Sequence, residues 1–274
     1  MKYLPASFIW VEHQNNYLAK DTKNVFPTET GYCSPITTFM NKLIVVTGAT
    51  KGIGRAIVDK FASQGFDVAL CARNKEELAN AHDQIQKKNP AINVFTKPAD
   101  MADQAQVKSF AEYLLSLNRP IDVLVNNAGY FVPGSISTEP EGTLESMIHA
   151  NLYSAYYMTR ALVQKMKDVK DGHIFNICSI ASIKAYANGG SYAITKFAML
   201  GFSKCLREEL KEFNIRVTAI MPGATKTSSW DGVNLPDERF MKIEDVAETI
   251  YAAHALSKRS VVEEIIIRPQ LGDI

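Results

Sequence analysis

The sequence has 274 residues, of which 46% are hydrophobic and 22% charged, and its formal net charge is +1. Such a chain can bury a sizeable core without disulfides or metals, and its charge gives no long-range attraction to nucleic acid or an anionic membrane. The four cysteines form no CxxC pair and no apolar run approaches the roughly 20 residues of a membrane span, so we expect a cytoplasmic protein without disulfides, a metal site or a membrane partner.

The first 39 residues lack the periodicity of a helix or a strand. They are rich in Asn, Thr, Pro and aromatic residues, and Met40 directly precedes the first strand pattern. We therefore predict an N-terminal extension over residues 1–39 and a single domain over residues 40–274, and we expect a chain that begins at Met40 to fold and keep its activity. The alternative is an ordered strap that covers the domain through aromatic residues such as Phe8 and Trp10.

From residue 41 onward, short β-branched runs alternate with stretches whose apolar residues recur every three or four positions. This alternation predicts seven strands, at LIVVTG, DVALC, NVFTK, DVLVN, HIFNIC, IRVTAIM and VEEIII. Runs that are apolar on both faces, such as VLV, are typical of sheets covered by helices on both sides. We predict a single α/β domain with the doubly wound (Rossmann) three-layer fold and a seven-stranded parallel sheet.

The motif TGATKGIG, at residues 47–54, lies between the first predicted strand and the first predicted helix. Glycines let the backbone approach a pyrophosphate, and the free N–H groups at the start of the following helix can bind the anion. The motif therefore predicts dinucleotide binding, the alternative being a purely structural turn. The cofactor contacts that we assign to it are Gly48, Thr50, Lys51, Gly52, Ile53 and Gly54.

The end of the second predicted strand indicates which dinucleotide is bound. An NAD-specific fold places an acid here to hold the ribose 2′-OH, but the sequence has Ala72 followed by Arg73. An arginine pairs well with a phosphate and cannot accept a hydrogen bond from a hydroxyl, and Lys51 offers a second cation. We predict NADP(H) as the cofactor; the alternative is that both cations are solvated surface charges.

In the stretch YAITK, Tyr192 and Lys196 are four positions apart, so on a helix both side chains reach one pocket. A nearby ammonium group favours the phenolate and lowers the pKa of a tyrosine from its usual value of about 10. We expect Lys196 to help Tyr192 exchange a proton in this way. Ser179 follows the fifth strand on the ligand side of the sheet, where its hydroxyl can hold a substrate oxygen, and Ser182 is the alternative.

Together with NNAG at 126–129, HANLYS at 149–154 and PGATKT at 222–227, these motifs make the chain from residue 41 to 274 resemble the short-chain dehydrogenase/reductase family. The resemblance implies that Tyr192 donates or accepts the proton and that Lys196 binds the nicotinamide ribose. It implies that Ser179, thirteen positions before Tyr192, orients the substrate carbonyl.

The resemblance also implies that Asn151 supports a water relay, although an asparagine can simply cap or kink its helix. Asn126 would lie along the cofactor, and it can in addition join two strands. Thr225 is an alternative to Thr227 as a contact near the nicotinamide carboxamide. The cofactor contacts implied outside the glycine motif and YAITK are Asp100, Asn126, Ala128, Pro222, Gly223, Thr225 and Thr227.

The expected reaction is reduction of a ketone or aldehyde by NADPH, with hydride passing to carbon and Tyr192 protonating the oxygen. SSWDG and VVEEIIIRPQLGDI are similar to the sepiapterin-reductase-like branch, and the general plan is equally similar to 3-oxoacyl-carrier-protein reductases. A non-catalytic NADP-sensing regulator is the alternative from another class. Phe131, Tyr186 and Trp230 predict an apolar or aromatic-walled substrate pocket. Large side chains lie on the helix that begins near Thr143 and on the helix that carries Tyr192, which pair across a two-fold axis in the family, so the resemblance implies a homodimer or homotetramer.

Overall fold

The computed structural model describes residues 40–274, so the predicted extension over residues 1–39 lies outside the described residues. The described chain forms one parallel sheet of seven strands, in the order β3-β2-β1-β4-β5-β6-β7. The strands are β1 Leu43–Thr47, β2 Asp67–Ala72, β3 Val94–Pro98, β4 Val123–Asn126, β5 Gly172–Ile177, β6 Ile215–Pro222 and β7 Glu264–Ile267. All seven were predicted from the sequence, and the doubly wound fold is confirmed.

Helices cover both faces of the sheet. Within residues 40–274 they are α1 Gly52–Ser63, α2 Lys75–Lys88, α3 Gln104–Ser116, α4 Thr143–Ile148, α5 Ser154–Val169, α6 Gly190–Leu210 and α7 Ile243–Ala255. The helices α1, α2 and α7 pack on one face, and α3, α5 and α6 pack on the other. None of the helices in this range combines the length and the apolar character that a membrane crossing requires.

The first strand shows why the chain folds into three layers. Its side chains point alternately to the two faces, as in any strand, and every one of them is apolar up to the final threonine. Leu43 and Val45 therefore enter the core beneath α3 and α5, whereas Ile44 and Val46 enter the core beneath α1 and α7. A strand of this kind is stable only when helices cover both sides of the sheet.

Because all the strands are parallel, their carboxyl ends lie along one edge of the sheet. The strand order reverses between β1 and β4, which pair directly with each other. Loops leaving these two strands turn in opposite directions, and a crevice opens between them. The glycine motif follows β1 and the NNAG motif follows β4, so both border this crevice.

Candidate active site

Three glycines of the TGATKGIG motif form a turn that other residues cannot form. Gly48 and Gly52 have φ values of +64° and +60°, in the left-handed region that favours glycine. A Cβ on Gly48 would lie 3.1 Å from Ala128 Cα, and one on Gly54 would lie 2.4 Å from Asn127 Nδ2. Glycine thus lets the turn pack closely against the loop that follows β4. Ile53 of the same motif instead packs against the core.

Asn127 fixes the glycine turn to β4, a role that the sequence reasoning missed. Its Nδ2 donates hydrogen bonds to the carbonyl oxygens of Thr47 and Gly48, each over 2.9 Å. In return, Thr47 Oγ1 accepts hydrogen bonds from the backbone N–H groups of Asn127 and Ala128, each over 3.1 Å. The NNAG motif contains two successive asparagines, and the sequence pattern led us to assign a cofactor contact only to the first of them.

The predicted cofactor residue Asn126 is buried between strands. Its Nδ2 donates to Asn176 Oδ1 on β5 over 2.8 Å and to Thr159 Oγ1 on α5 over 3.0 Å. Only 2% of the residue is exposed, and it does not line the neighbouring cavity, whereas Asn127 does. The geometry therefore shows Asn126 in the strand-joining role, at the base of the crevice, and its contact with the cofactor stays a prediction.

A cavity of about 290 Å³ extends from the glycine turn across the ends of β2 and β3. Its wall includes six of the residues predicted to contact the cofactor: Gly48, Thr50, Lys51, Arg73, Asp100 and Ala128. Asp100 is held at the end of β3, where its Oδ1 accepts a hydrogen bond from the N–H of Ala102 over 2.9 Å. At its other end the cavity reaches Tyr130 and Ala150, next to the catalytic candidates.

The charges of this cavity suit an anionic ligand. Lys51 and Arg73 both line it, and within residues 40–274 neither forms an ion pair of 4.0 Å or less. Ala72, where an NAD-specific site has its acid, is apolar and only 8% exposed. A glycine cradle, two unpaired cations and no acid at the strand end together fit the pyrophosphate and the 2′-phosphate of NADP(H).

The loop after β6 brings one of its two candidate threonines to the glycine turn. A Cβ on Gly52 would lie 3.5 Å from Cγ2 of Thr227, so this residue borders the cofactor crevice. Thr225 is 4% exposed, and its hydroxyl donates to the carbonyl oxygen of Gly223 within its own loop over 3.0 Å. Pro222 ends β6, and the N–H of Gly223 continues the pairing with β7. The geometry favours Thr227 over Thr225.

Ser179 and Tyr192 meet at the carboxyl end of β5. Ser179 lies beside the Tyr192 hydroxyl and acts to lower the pKa of that group. Its Oγ accepts a hydrogen bond from the N–H of Ala181 over 3.1 Å. Ser182, the alternative to Ser179, is 1% exposed, and its Oγ accepts from the N–H of Ser179 over 3.2 Å. Ser182 thus supports the backbone of Ser179 and is itself shielded from the crevice.

Lys196 lies one helical turn after Tyr192 and is 5% exposed. Its Nζ donates to the carbonyl oxygen of Ile177 over 2.8 Å and lies 5.6 Å from the centre of the Tyr192 ring. Burial lowers the pKa of Lys196, an effect that the nearby Cys178 partly opposes. The pair therefore shares one face of α6, as predicted from the spacing.

The expected lowering of the Tyr192 pKa is absent from this geometry. Burial raises the pKa of Tyr192 to about 12, although the neighbouring Ser179 acts in the opposite direction. Lys196 does not offset the burial because its ammonium group is directed to Ile177. At neutral pH, Tyr192 consequently keeps its proton, which is the state required of a proton donor.

Asn151 lies in a π-helical turn, His149–Tyr153, between α4 and α5. The residue is fully buried, and its Oδ1 accepts from the N–H of Tyr130 over 2.8 Å. Its Nδ2 donates to the Tyr130 carbonyl oxygen over 3.0 Å and to Thr195 Oγ1 over 3.1 Å. The side chain therefore joins the loop after β4 to helix α6. The π-helical turn is also the kind of helix distortion that was the alternative explanation for an asparagine at this position. The water relay stays a prediction.

The three aromatic residues predicted to wall the substrate pocket lie in loops, and one of them packs against Tyr192. The ring of Phe131 meets the Tyr192 ring edge-on, with 4.9 Å between centres. The ring of Tyr186 lies against Gly189, where a Cβ would be 3.2 Å from two of its ring atoms. Trp230 packs edge-on against Phe240, at 5.1 Å, within the loop after β6. The aromatic-walled substrate pocket stays a prediction.

The chain matches the family model described as short chain dehydrogenase over residues 42–237. It is 33% identical to sepiapterin reductase of Chlorobaculum tepidum over 243 residues, which cover 86% of this chain and 99% of that protein. The structure of an alcohol dehydrogenase from Thermococcus sibiricus, complexed with 5-hydroxy-NADP, superposes with a TM-score of 0.78 at 27% identity, covering 84% of this chain and 97% of that one. The structure of the L-sorbose reductase of Gluconobacter frateurii, complexed with NADPH and L-sorbose, also superposes with a TM-score of 0.78. The identity is 26%, and the match covers 84% of this chain and 96% of that one. Since the family model spans well over half of the sequence, the resemblance seen in the motifs is confirmed and the chain belongs to the short-chain dehydrogenase family.

Proposed function

We propose that this protein is an NADPH-dependent reductase of a small ketone or aldehyde. The observation that carries the proposal is the meeting of Ser179, Tyr192 and Lys196 at the end of a crevice that also holds two unpaired cations. NADP(H) is the cofactor because Arg73 and Lys51 provide charge for a 2′-phosphate where an NAD site would have an acid. NADPH, when bound, supplies the hydride.

The protein's own residues then handle the oxygen of the substrate. Ser179 Oγ lies beside the Tyr192 hydroxyl, so a carbonyl oxygen that contacts both is oriented toward the cofactor crevice. Tyr192 donates its proton to that oxygen as negative charge develops on it. Lys196 supports the step by supplying a buried positive charge 5.6 Å from the ring.

The raised pKa of Tyr192 supports the reductive direction. A group that acts as an acid must carry its proton at the working pH, and Tyr192, with a pKa of about 12, does so at neutral pH. Oxidation of the corresponding alcohol is the reverse of the same path.

The substrate that we propose is small and at least partly apolar. Phe131 packs edge-on against Tyr192, Tyr186 lies against Gly189, and Trp230 lies in the loop after β6. One relative of the chain is a sepiapterin reductase, and one similar structure is an L-sorbose reductase complexed with NADPH and L-sorbose. A pterin carrying a carbonyl side chain is therefore our first candidate, and a 3-oxoacyl thioester is the second.

The test is a cofactor-oxidation assay with the purified full chain. NADPH fluorescence is followed with a panel of ketones, aldehydes, diketones, carbonyl-bearing pterins and 3-oxoacyl thioesters, each at several concentrations. We expect turnover of at least one class and a strong preference for NADPH over NADH. NADPH binding without turnover of any carbonyl compound would instead favour a cofactor-sensing regulator, and absence of binding would contradict the assignment of the crevice.

A further inference from the structure

A carboxylate shares the cavity with the two cations that we assign to the 2′-phosphate. Glu77, in the first turn of α2, lines the cavity together with Lys51 and Arg73. Its Oε2 accepts a hydrogen bond from Thr50 Oγ1 in the glycine turn over 3.2 Å. Since Thr50 directly precedes Lys51, this contact brings the negative charge to the phosphate-binding part of the cavity.

The position of Glu77 is fixed from two sides. Asn74, which follows Arg73, caps α2, and its Oδ1 accepts from the N–H groups of Glu76 and Glu77 over 2.9 and 3.1 Å. The cap fixes the first turn of α2 next to Arg73, and the Thr50 contact directs the Glu77 side chain across the cavity. The carboxylate is thus held between the segments that carry the two cations.

Helix stabilisation alone does not account for this placement. Glu76 and Glu77 both lie in the first turn of α2, where an acid interacts favourably with the helix dipole. Only Glu77 lines the cavity and contacts the glycine turn. Glu76 therefore carries a charge that stabilises the helix but does not face the cavity, so it is a matched control for Glu77.

We propose that Glu77 is a specificity-determining residue that weakens the preference for NADPH over NADH. The inference rests on the proposed use of NADP(H). A carboxylate near a 2′-phosphate adds repulsion that a 2′-hydroxyl does not experience, and it can accept a hydrogen bond from that hydroxyl. Glu77 thereby partly supplies the acid that is missing at Ala72, and the preference for NADPH is smaller than Lys51 and Arg73 alone would give.

The test compares Glu77→Gln with Glu76→Gln by fluorescence titration of NADPH and NADH. Glutamine keeps an oxygen that can accept from Thr50 but removes the charge, and Glu77 is exposed at the surface, so folding is preserved. We expect Glu77→Gln to tighten NADPH binding about 3-fold to 10-fold, to change NADH binding less than about 2-fold, and to lose most of this gain near 1 M salt. Glu76→Gln should resemble the wild type.

The outcomes separate this inference from the proposed function. If the wild type binds neither cofactor, the proposed function fails first. If the wild type binds NADPH but Glu77→Gln matches Glu76→Gln, or tightens both cofactors equally, Glu77 does not discriminate between them. Weaker binding of both cofactors by Glu77→Gln would assign the residue to support of the glycine turn, which also overturns the proposal.

Discussion

Arg119 Nη1 donates a hydrogen bond to Asp67 Oδ2 over 2.6 Å, and the two residues are 7% and 1% exposed. Asp67 begins β2, so the pair lies at the amino ends of the strands, opposite the cofactor crevice. Asp67 also accepts from the N–H and Nδ2 of Asn93 and from Nδ2 of Asn41. Burial raises the pKa of Asp67, but these hydrogen bonds outweigh it and hold the pKa below its usual value of 3.8.

We predict that Arg119→Met lowers the free energy of unfolding by about 3–5 kcal/mol, because the variant leaves a buried carboxylate without its charged partner. Urea unfolding at pH 7 measures the change. Lys211→Met, which breaks the exposed pair with Glu208, is the control and should cost less than about 1 kcal/mol. Equal losses in the two variants would mean that the Asp67 pair contributes no more than a surface contact.

The buried histidine His173 should make the fold sensitive to mild acid. Its Nε2 lies 2.8 Å from Thr218 Oγ1, whose hydroxyl donates to the carbonyl oxygen of Val262, so we assign the proton to Nε2. Nδ1 is buried without a partner among the described residues. Burial, reinforced by Arg216 and His254, lowers the pKa of His173 from 6.5 to about 2.

Below about pH 6.5, His173 therefore binds a proton in the unfolded chain but not in the folded chain. The free energy of unfolding falls as the pH drops from about 6.5 toward 2. We predict that His173→Phe reduces this pH slope by up to about 1.4 kcal/mol per pH unit between pH 6 and 4. Unfolding free energies at several pH values measure it. His82→Phe, at a half-buried site on α2, should keep the wild-type slope, and an unchanged slope in His173→Phe would contradict the assignment.

Removing the Tyr192 hydroxyl should abolish proton donation while leaving the cofactor site in place. Tyr192→Phe keeps the ring that packs against Phe131, so we predict a fall in turnover number of about 10²- to 10⁴-fold with NADPH affinity nearly unchanged. Steady-state kinetics and NADPH titration measure the two effects. Tyr251→Phe, on the remote helix α7, should behave as the wild type. A Tyr192→Phe variant that retained most of its turnover would exclude Tyr192 as the acid.

Reversing the charge at Arg73 should reverse the choice of cofactor. Arg73→Asp removes a phosphate partner, adds repulsion against the 2′-phosphate and supplies an acceptor for a 2′-hydroxyl. We predict that the ratio of kcat/KM for NADPH to that for NADH falls by about 100-fold or more, the size expected from a lost charge-assisted hydrogen bond plus repulsion. Lys75→Asp makes the same charge change outside the cavity, and an equal fall there would show only a general electrostatic effect.

The exposed aromatic face of α5 and α6 should be covered in solution by a second copy of the chain. Tyr153, Tyr156, Ile194 and Phe197 are between 37% and 47% exposed on the described chain. An apolar patch of this kind on two adjacent helices is typical of an interface. We predict a homodimer or homotetramer by light scattering at micromolar concentration, and a smaller species for Phe197→Glu. Leu115→Glu, on α3, should not change the mass, and a monomeric wild type would contradict the prediction.

Local sequence patterns predicted the strands and the Tyr192–Lys196 pair because both depend on short-range spacing. A buried parallel strand such as β1 is apolar at nearly every position, and two residues four apart share a helix face whatever surrounds them. The π-helical turn at Asn151 was different. Its irregular backbone accompanies side-chain bonds to Tyr130 and Thr195, partners that lie 21 and 44 positions away and that no local pattern reveals.

The ion pair and pKa assignments were missed for the same reason. Arg119 and Asp67 are 52 positions apart, so their pairing follows only from the parallel order of the strands. Lys196 was expected to act mainly on Tyr192 because both share one helix face. The carbonyl oxygen of Ile177, at the end of β5, takes its hydrogen bond instead, and burial then determines the pKa of Tyr192.

The parallel sheet also separates folding from chemistry in space. Strand β2 begins at Asp67 and ends at Ala72, so about 17 Å of extended backbone lies between the buried ion pair and the residue that precedes Arg73. Changes at sites this far apart, without shared partners, contribute independently. Loops at the carboxyl edge can therefore be exchanged in directed evolution to select new ligands. Such changes usually lower the free energy of unfolding, and the contacts at the amino edge, which they leave intact, offset part of that loss.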